Sequence, residues 1–272
     1  MRMAVIGCGP MGVRHAQKLA RMKDVDLIGV CDTNEYRADK LAGEVGCDPV
    51  EEYWDLNGEI DAAVVATNPG THGEICYHLM GEGIHVLVEK PMATTEKGAA
   101  DMQLAAETNG VVLQVGHVER FNPVFNRISQ VAGIPFQVEV ERHSPVAFQA
   151  VEVDVVLDLM IHDIDMVLAL AATEVSRITG SGTRDSAIAE LRFVDGSVAV
   201  LRADRKAKTR SRVWTVNEDK HYLIGEHDAI HDELRHFIDC IRKGEKPVVS
   251  GREGVAALKV ALEVSRQIRG TE

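Results

Sequence analysis

Three glycines at fixed offsets constrain this chain more than any other feature. They fall in Gly7-Cys8-Gly9-Pro10-Met11-Gly12, directly after the apolar run Met3-Ala4-Val5-Ile6 and ahead of a helical stretch through Ala20. A buried strand that turns into a helix through this spacing is the context a dinucleotide fingerprint requires. Gly7 permits the tight turn, Gly9 lets the backbone approach a pyrophosphate, and Gly12 allows close packing of helix on strand. Pro10 and Met11 open the helix, whose first-turn amides then face the phosphates. The second strand, Asp26 to Cys31, ends at Asp32, 20 residues beyond Gly12. A carboxylate there accepts hydrogen bonds from the ribose hydroxyls and repels a 2′-phosphate, so NAD is expected in preference to NADP. Arg37, one helical turn further on, is placed to stack on adenine or to soften the penalty against NADP.

The next strand, Ile60 to Thr67, ends in Asn68-Pro69-Gly70-Thr71-His72. This is turn chemistry, with Thr71 expected to cap the helix through Glu82. Thr67, Asn68 and His72 stand at the carboxyl end of a strand and are candidate cofactor contacts. For His72, a capping or surface position is the equal alternative. His85-Val86-Leu87-Val88-Glu89-Lys90-Pro91 is a short apolar strand that stops at an acid, a lysine and a proline. Pro91 cannot donate to a ladder and pushes Lys90 into an extended conformation. A cation therefore stands where open α/β sheets bind ligands. A lone strand-end Lys is most often solvated, so the role of Lys90 depends on what stands beside it. Thr95 opens a helix that reaches Asn109-Gly110, and Val111 to Val115 is the last strand of this half. Strand and helix have alternated throughout, which means a doubly wound parallel sheet.

The pattern then changes. Gly116-His117-Val118-Glu119-Arg120-Phe121-Asn122-Pro123 leads into a short helix, and Phe136 to Glu141 alternates as a half-buried strand. Val153 to Ala172 is helical and carries Asp158, His162, Asp163 and Asp165. Asp158 and His162, four apart, share one face. A carboxylate beside an imidazole fixes its tautomer and raises its basicity, as a general base needs. From the helix alone, a buried structural network and a functional site are equal readings. Ala187–Val194, Ser197–Leu201 and Ser211–Val216 are consecutive strands, with Asp195-Gly196 a hairpin turn, so an antiparallel sheet is expected. Arg202, Arg205, Lys206, Lys208, Arg210 and Arg212 form a basic stretch, with Lys208, Arg210 and Arg212 on one strand face. It reads as a solvated or subunit-bridging face, or as a phosphate-binding arm. Helices over 228–242 and 252–269 close the chain, with His227, His231 and His236 on the surface.

Formal net charge is -12, which argues against a general nucleic-acid binder. The five cysteines show no paired short spacing, so neither a metal site nor a disulfide framework is expected. No apolar run reaches membrane-spanning length, and a cytoplasmic location is the default expectation.

The Gly7–Gly12 loop, Glu89-Lys90-Pro91 and Asp158-Leu159-Met160-Ile161-His162 together resemble the glucose-fructose oxidoreductase and inositol dehydrogenase family (Gfo/Idh/MocA), over essentially the whole chain. The resemblance implies an α/β architecture: an N-terminal NAD-binding Rossmann domain, 1–118, and a C-terminal α/β domain, 119–272, with an open, mainly antiparallel sheet used for substrate and oligomer contacts. It implies oxidation of a secondary alcohol by Lys90, Asp158 and His162, with Glu89 and Lys90 also shaping the nicotinamide pocket. Gly116–Pro123 and Leu157–Asp165 look most like the branch that includes UDP-N-acetylglucosamine 3-dehydrogenases, which makes His117, Arg120 and Asn122 expected substrate contacts. The expected partner is thus a sugar or nucleotide sugar, in a homodimer or homotetramer. The second domain departs from the family in being short, with little between Val216 and Asp228. A free-sugar or inositol dehydrogenase, and a non-catalytic NAD-binding regulator, are the alternatives.

Overall fold

The computed structural model describes residues 1–145, 153–171, 173–223 and 227–270. Ala172, the expected end of the His162 helix, lies outside them. The chain forms two compact units, Met1–His117 with Asp228–Val255, and Val118–His227 with Ala256–Glu272.

The first unit is built on a parallel sheet of β1 (Arg2–Ile6), β2 (Asp26–Cys31), β3 (Asp48–Val50), β4 (Ala62–Val65), β5 (His85–Glu89) and β6 (Leu113–Gly116), in the order β3-β2-β1-β4-β5-β6. The direction of winding reverses between β1 and β4, the switch point where such sheets bind ligands. Register aligns Ile6 with both Cys31 and Val65, Val65 with Val88, and Val88 with Val115. The carboxyl ends of five strands therefore meet at one edge. Helices α1 (Pro10–Leu19), α2 (Glu35–Val45), α3 (His72–Gly81) and α4 (Glu96–Asn109) connect the strands. Thr95 caps α4 by accepting from the Gly98 amide, and Gly110 ends it in the left-handed region. Thr71 does not cap α3: its hydroxyl is taken by the Asn68 carbonyl and the Thr67 hydroxyl, each at 2.9 Å.

The expected single cut at 118/119 differs from this division, because Asp228–Val255 belongs to the first unit. The reason is packing. Leu234, Phe237 and Ile238 of α7 (Ala229–Lys243) are fully buried in the same core as Met3, Val5, Leu19 and Val64. Arg235 reinforces this with two hydrogen bonds to Asp24, at 2.7 and 2.8 Å.

The second unit holds α5 (Pro123–Val131), α6 (Ile161–Leu170) and a sheet of β7 (Gln137–His143), β8 (Val175–Gly182), β9 (Ser186–Phe193), β10 (Val198–Asp204), β11 (Ser211–Val216) and β12 (Asp219–Tyr222). Its order is β12-β11-β7-β10-β9-β8, antiparallel except for the β7–β10 pair. Helix α8 (Gly251–Arg269) begins in the first unit and ends in the second. None of the described helices is long and apolar enough to cross a membrane.

Alternation along β7 places Val138, Val140 and Arg142 on the buried face. Arg142 is 2% exposed and grips Asp163 with two hydrogen bonds, Nε to Oδ2 at 2.6 Å and Nη2 to Oδ1 at 2.7 Å. Its third donor reaches Glu119 at 3.0 Å, and the Trp214 indole adds a bond to Asp163 at 3.3 Å. Burial alone would raise the pKa of Glu119, but Arg142 and Arg212 beside it hold it below its ordinary value. A guanidinium stripped of water needs this degree of pairing, and removal of one partner strands the other. Asp163→Ala should therefore lower the stability of the second unit by about 3–5 kcal/mol, read as a shift in the denaturant midpoint.

Candidate active site

The three glycines of the first loop have three different physical reasons. Gly7 has φ +98°, and a Cβ there would lie 2.5 Å from the Ala66 carbonyl oxygen. At Gly12 a Cβ would lie 1.7 Å from the Gly7 carbonyl oxygen, so only glycine lets α1 close on the loop. A Cβ at Gly9 would meet no atom within 4 Å, which leaves the N-terminus of α1 open to an approaching phosphate. Gly9 is also the N-cap and provides no side-chain bond, while Pro10 occupies the first turn. The free amides and helix dipole at such a terminus favour an anion. Asp32 ties the loop to β2: its Oδ2 accepts from the Cys8 amide at 2.7 Å and its Oδ1 from the Asn34 amide at 2.8 Å. Each carboxylate oxygen keeps a second lone pair for a ribose hydroxyl. Burial, and then the charge of Asp32, push the Cys8 thiol up to about 12, so it is no nucleophile. Arg37 is exposed in the first turn of α2. These residues fit the phosphate and ribose of NAD.

His72 is neither at the surface nor a helix cap. It is fully buried, with Nδ1 3.1 Å from the Pro91 carbonyl and Nε2 3.2 Å from that of Thr67. It lies between the loop after β4 and the loop after β5, and burial holds its pKa below the ordinary value, which favours a neutral ring with one N–H for one of the two carbonyls. Asn68 accepts from the Gly70 amide at 3.0 Å. Lys90 is half-buried and precedes a cis peptide bond to Pro91. Its amide donates to Glu89 Oε2 at 3.2 Å, and Glu89 Oε1 stands 2.7 Å from His15 Nε2. His15 was missed by sequence reasoning. Its signal was there: with Gly12, Ala16 and Leu19 it lies on the buried stripe of α1.

In the second unit, Val156–Met160 is one π-helical turn that runs into α6. Asp158 lies in that turn and His162 just past the junction, both half-buried, whereas Asp163 and Asp165 are buried. The helix thus carries buried, arginine-paired carboxylates beside partly accessible titratable groups, with Asp165 three residues beyond His162 on its face. Arg205 approaches Asp158 at 3.5 Å. Far from lying on a solvated face, it is 5% exposed and also donates to the Val153 and Arg184 carbonyls and to Asp185. Lys208 and Arg210 are exposed but precede β11, so only Arg212 of the expected trio lies on the strand. Arg212 is paired with Glu119.

The expected substrate contacts fare unevenly. His117 is buried in the first unit. Arg120 donates to Asp165 at 3.3 Å and lies over the Phe125 ring. Asn122 caps α5 by accepting from the Val124 amide at 3.0 Å and donates to Glu119 at 3.4 Å, so its polar atoms are already engaged. His236 is half-buried and accepts from the Val248 amide at 3.0 Å, a structural role in place of the expected surface one.

Asp32→Ala removes the ribose acceptor and the repulsion of a 2′-phosphate together. Steady-state kinetics should show kcat/KM for NAD falling by about 10–100-fold while NADP gains relative to NAD.

The family model of the oxidoreductase family with an NAD-binding Rossmann fold matches residues 1–117. A UDP-N-acetylglucosamine 3-dehydrogenase from Acidithiobacillus ferrooxidans is 35% identical over 303 aligned positions, covering 97% of this chain and 96% of that protein. Its solved structure superposes with a TM-score of 0.94 at 28% identity, over 99% of this chain and 98% of the other. A myo-inositol 2-dehydrogenase from Thermotoga maritima is 26% identical, covering 99% of this chain and 98% of its own. With its nucleotide loop, Asp32 and two-sheet architecture, the chain belongs to the Gfo/Idh/MocA family of NAD-binding oxidoreductases.

Proposed function

We propose that this chain oxidises the 3-hydroxyl of UDP-N-acetylglucosamine, or of a closely similar nucleotide sugar, to the 3-ketone. The observation that carries the reading is full-length likeness to a dehydrogenase of that substrate, at an identity above that to the inositol enzyme. NAD, when bound, accepts the hydride. His162 takes the hydroxyl proton as the carbon–hydrogen bond breaks. Lys90 hydrogen-bonds the developing alkoxide, a cation placed where negative charge builds. Asp158 orients His162, and Arg205 in turn holds Asp158. The products are the 3-keto sugar nucleotide, NADH and one proton. The exposed Lys208 and Arg210 are the cations of the basic stretch proposed to meet a diphosphate. The proposed assembly is a homo-oligomer formed through the open face of the second sheet.

One observation favours a second reading, a free inositol or sugar substrate. Arg205 and Arg212 are consumed by internal pairs, and Arg202 and Lys206 face Glu139 and Asp185. This thins the basic stretch available to phosphates.

The test is NADH formation with a panel of UDP-N-acetylglucosamine, free hexoses and myo-inositol. The nucleotide sugar should turn over alone, and Lys90→Ala and His162→Ala should each lower kcat by about 100-fold or more. Turnover of myo-inositol alone selects the second reading.

A further inference from the structure

Four polar side chains of the first unit meet in its interior. They are His15 from α1, Glu89 from β5, Gln114 from β6 and Glu233 from α7; Glu89 is 5% exposed and the other three are 0% exposed. The ring nitrogens and carboxylate oxygens of His15, Glu89 and Glu233 lie within 4.8 Å of one another. Among the described residues, neither oxygen of Glu233 has a hydrogen-bond partner, nor do His15 Nδ1 and Gln114 Oε1. Gln114 spends its amide nitrogen on the Glu233 carbonyl at 3.1 Å, which pins α7 beside β6. A Cβ at Gly116 would stand 3.1 Å from the Glu89 carboxyl group, so that glycine makes room for it.

Two carboxyl groups this close and this dry do not both ionise, because each charge opposes the other and burial opposes both. Glu89 has the better claim to the charge: it accepts from His15 at 2.7 Å and from the Lys90 amide at 3.2 Å. Glu233 has no such support. We propose that Glu233 is a positioning residue that works as an un-ionised carboxylic acid, donating its proton toward Glu89 through one bridging water. The resulting one-proton network fastens α1 and α7 to the Lys90 end of β5.

The electrostatics point the same way. Burial first and Glu89 second raise Glu233 well above the usual carboxylate range. Burial would also raise Glu89, but His15 and Lys90 hold it below its ordinary value. The titratable groups facing Glu233 are Glu89 and His15, while β6 contributes only the neutral Gln114. Lys18 of α1 turns to Asp228, and Arg235 and Arg242 of α7 turn to Asp24. A metal fits less well. Two donors on one tetrahedral Zn²⁺ stand about 3.3 Å apart, so the His15–Glu89 separation of 2.7 Å is that of a hydrogen bond.

The sign of the pH effect follows. Glu233 keeps its proton in the folded chain and loses it in the unfolded chain above the ordinary carboxylate pKa. Stability from this group therefore falls as pH rises, until Glu233 ionises in the folded chain too. Glu233→Gln keeps a neutral donor and removes that fall. The experiment is thermal unfolding of wild type, E233Q, E89Q and E89Q/E233Q from about pH 6 to about pH 9, with NAD titrations of E233Q and E233A. The Tm of E233Q should gain on wild type as pH rises, and the gain should be smaller in the E89Q background. E233A should bind NAD about tenfold more weakly, and E233Q should restore most of that loss. A Tm difference that does not change with pH, or an E233Q chain that fails to fold, overturns the proposal. So does Zn²⁺ or Mn²⁺ stabilising wild type but not E233Q. The consequence for catalysis rests on the reading of Lys90 above, but the unfolding series does not. Should Lys90→Ala stay active while the pH-dependent gain appears, the catalytic reading fails and the proton network stands.

Discussion

Parallel pairing of short, fully buried strands is the constraint on which the rest depends. Residues 62–65 and 86–88 are inaccessible to solvent, and residues 3–6 nearly so. Such strands leave little room for irregular backbone within the layer, because unpaired amides there cost too much, although β1 shifts register on β2 between Met3 and Ala4. Polar and irregular chain is therefore driven to the strand ends, and parallel register brings those ends to one edge. Gly7–Gly12, Asp32, Thr67–His72 and Glu89-Lys90 gather there as a result of sheet geometry before any ligand is considered. His72 then stands between two of the loops with one ring N–H to donate to a carbonyl of either, and Asp32 uses both oxygens to fasten two others.

The second unit solves a different problem, how to hold titratable groups on an otherwise apolar helix. Asp163 and Asp165 face inward and are paired with arginines, whereas Asp158 and His162 are half-buried. The π turn just before α6 widens the backbone at Asp158. Such turns recur at functional sites, because they shift side-chain direction without breaking the helix. The Arg142–Asp163 pair then acts as the anchor of α6, and any role for His162 inherits its rigidity.

Much of this was legible in the sequence. The glycine loop, the strand ending at Asp32, the abrupt stop at Lys90 and the Thr95 and Gly110 helix ends all follow from local chemistry. What escaped has physical reasons. Strand β8 carries two glycines and two serines, and β12 is charged, so neither alternates in hydrophobicity; tertiary pairing makes them strands. The β7–β10 pair is parallel although its neighbours in sequence suggested hairpins only. Arg205 and Arg212 look like surface cations in a basic run, but Arg205 is buried where carboxylates and carbonyls converge on it and Arg212 is half-buried against Glu119. Asn122 looks like a free polar contact and is an N-cap. His15 and Glu233 are separated by 218 positions in the sequence, and only the packing of α7 on the first sheet's core shows that they belong together.

In the proposed reaction, hydride leaves the sugar's third carbon while Lys90 and His162 manage the charge and the proton. The most direct measurement uses UDP-N-acetylglucosamine carrying deuterium at that carbon, with mass spectrometry of the cofactor after reaction with NAD. The proposed oxidation should leave one deuterium in each reduced nicotinamide and a sugar nucleotide that has lost its label. Reduced cofactor without deuterium, or a labelled sugar nucleotide left intact while free inositol is oxidised, would contradict it.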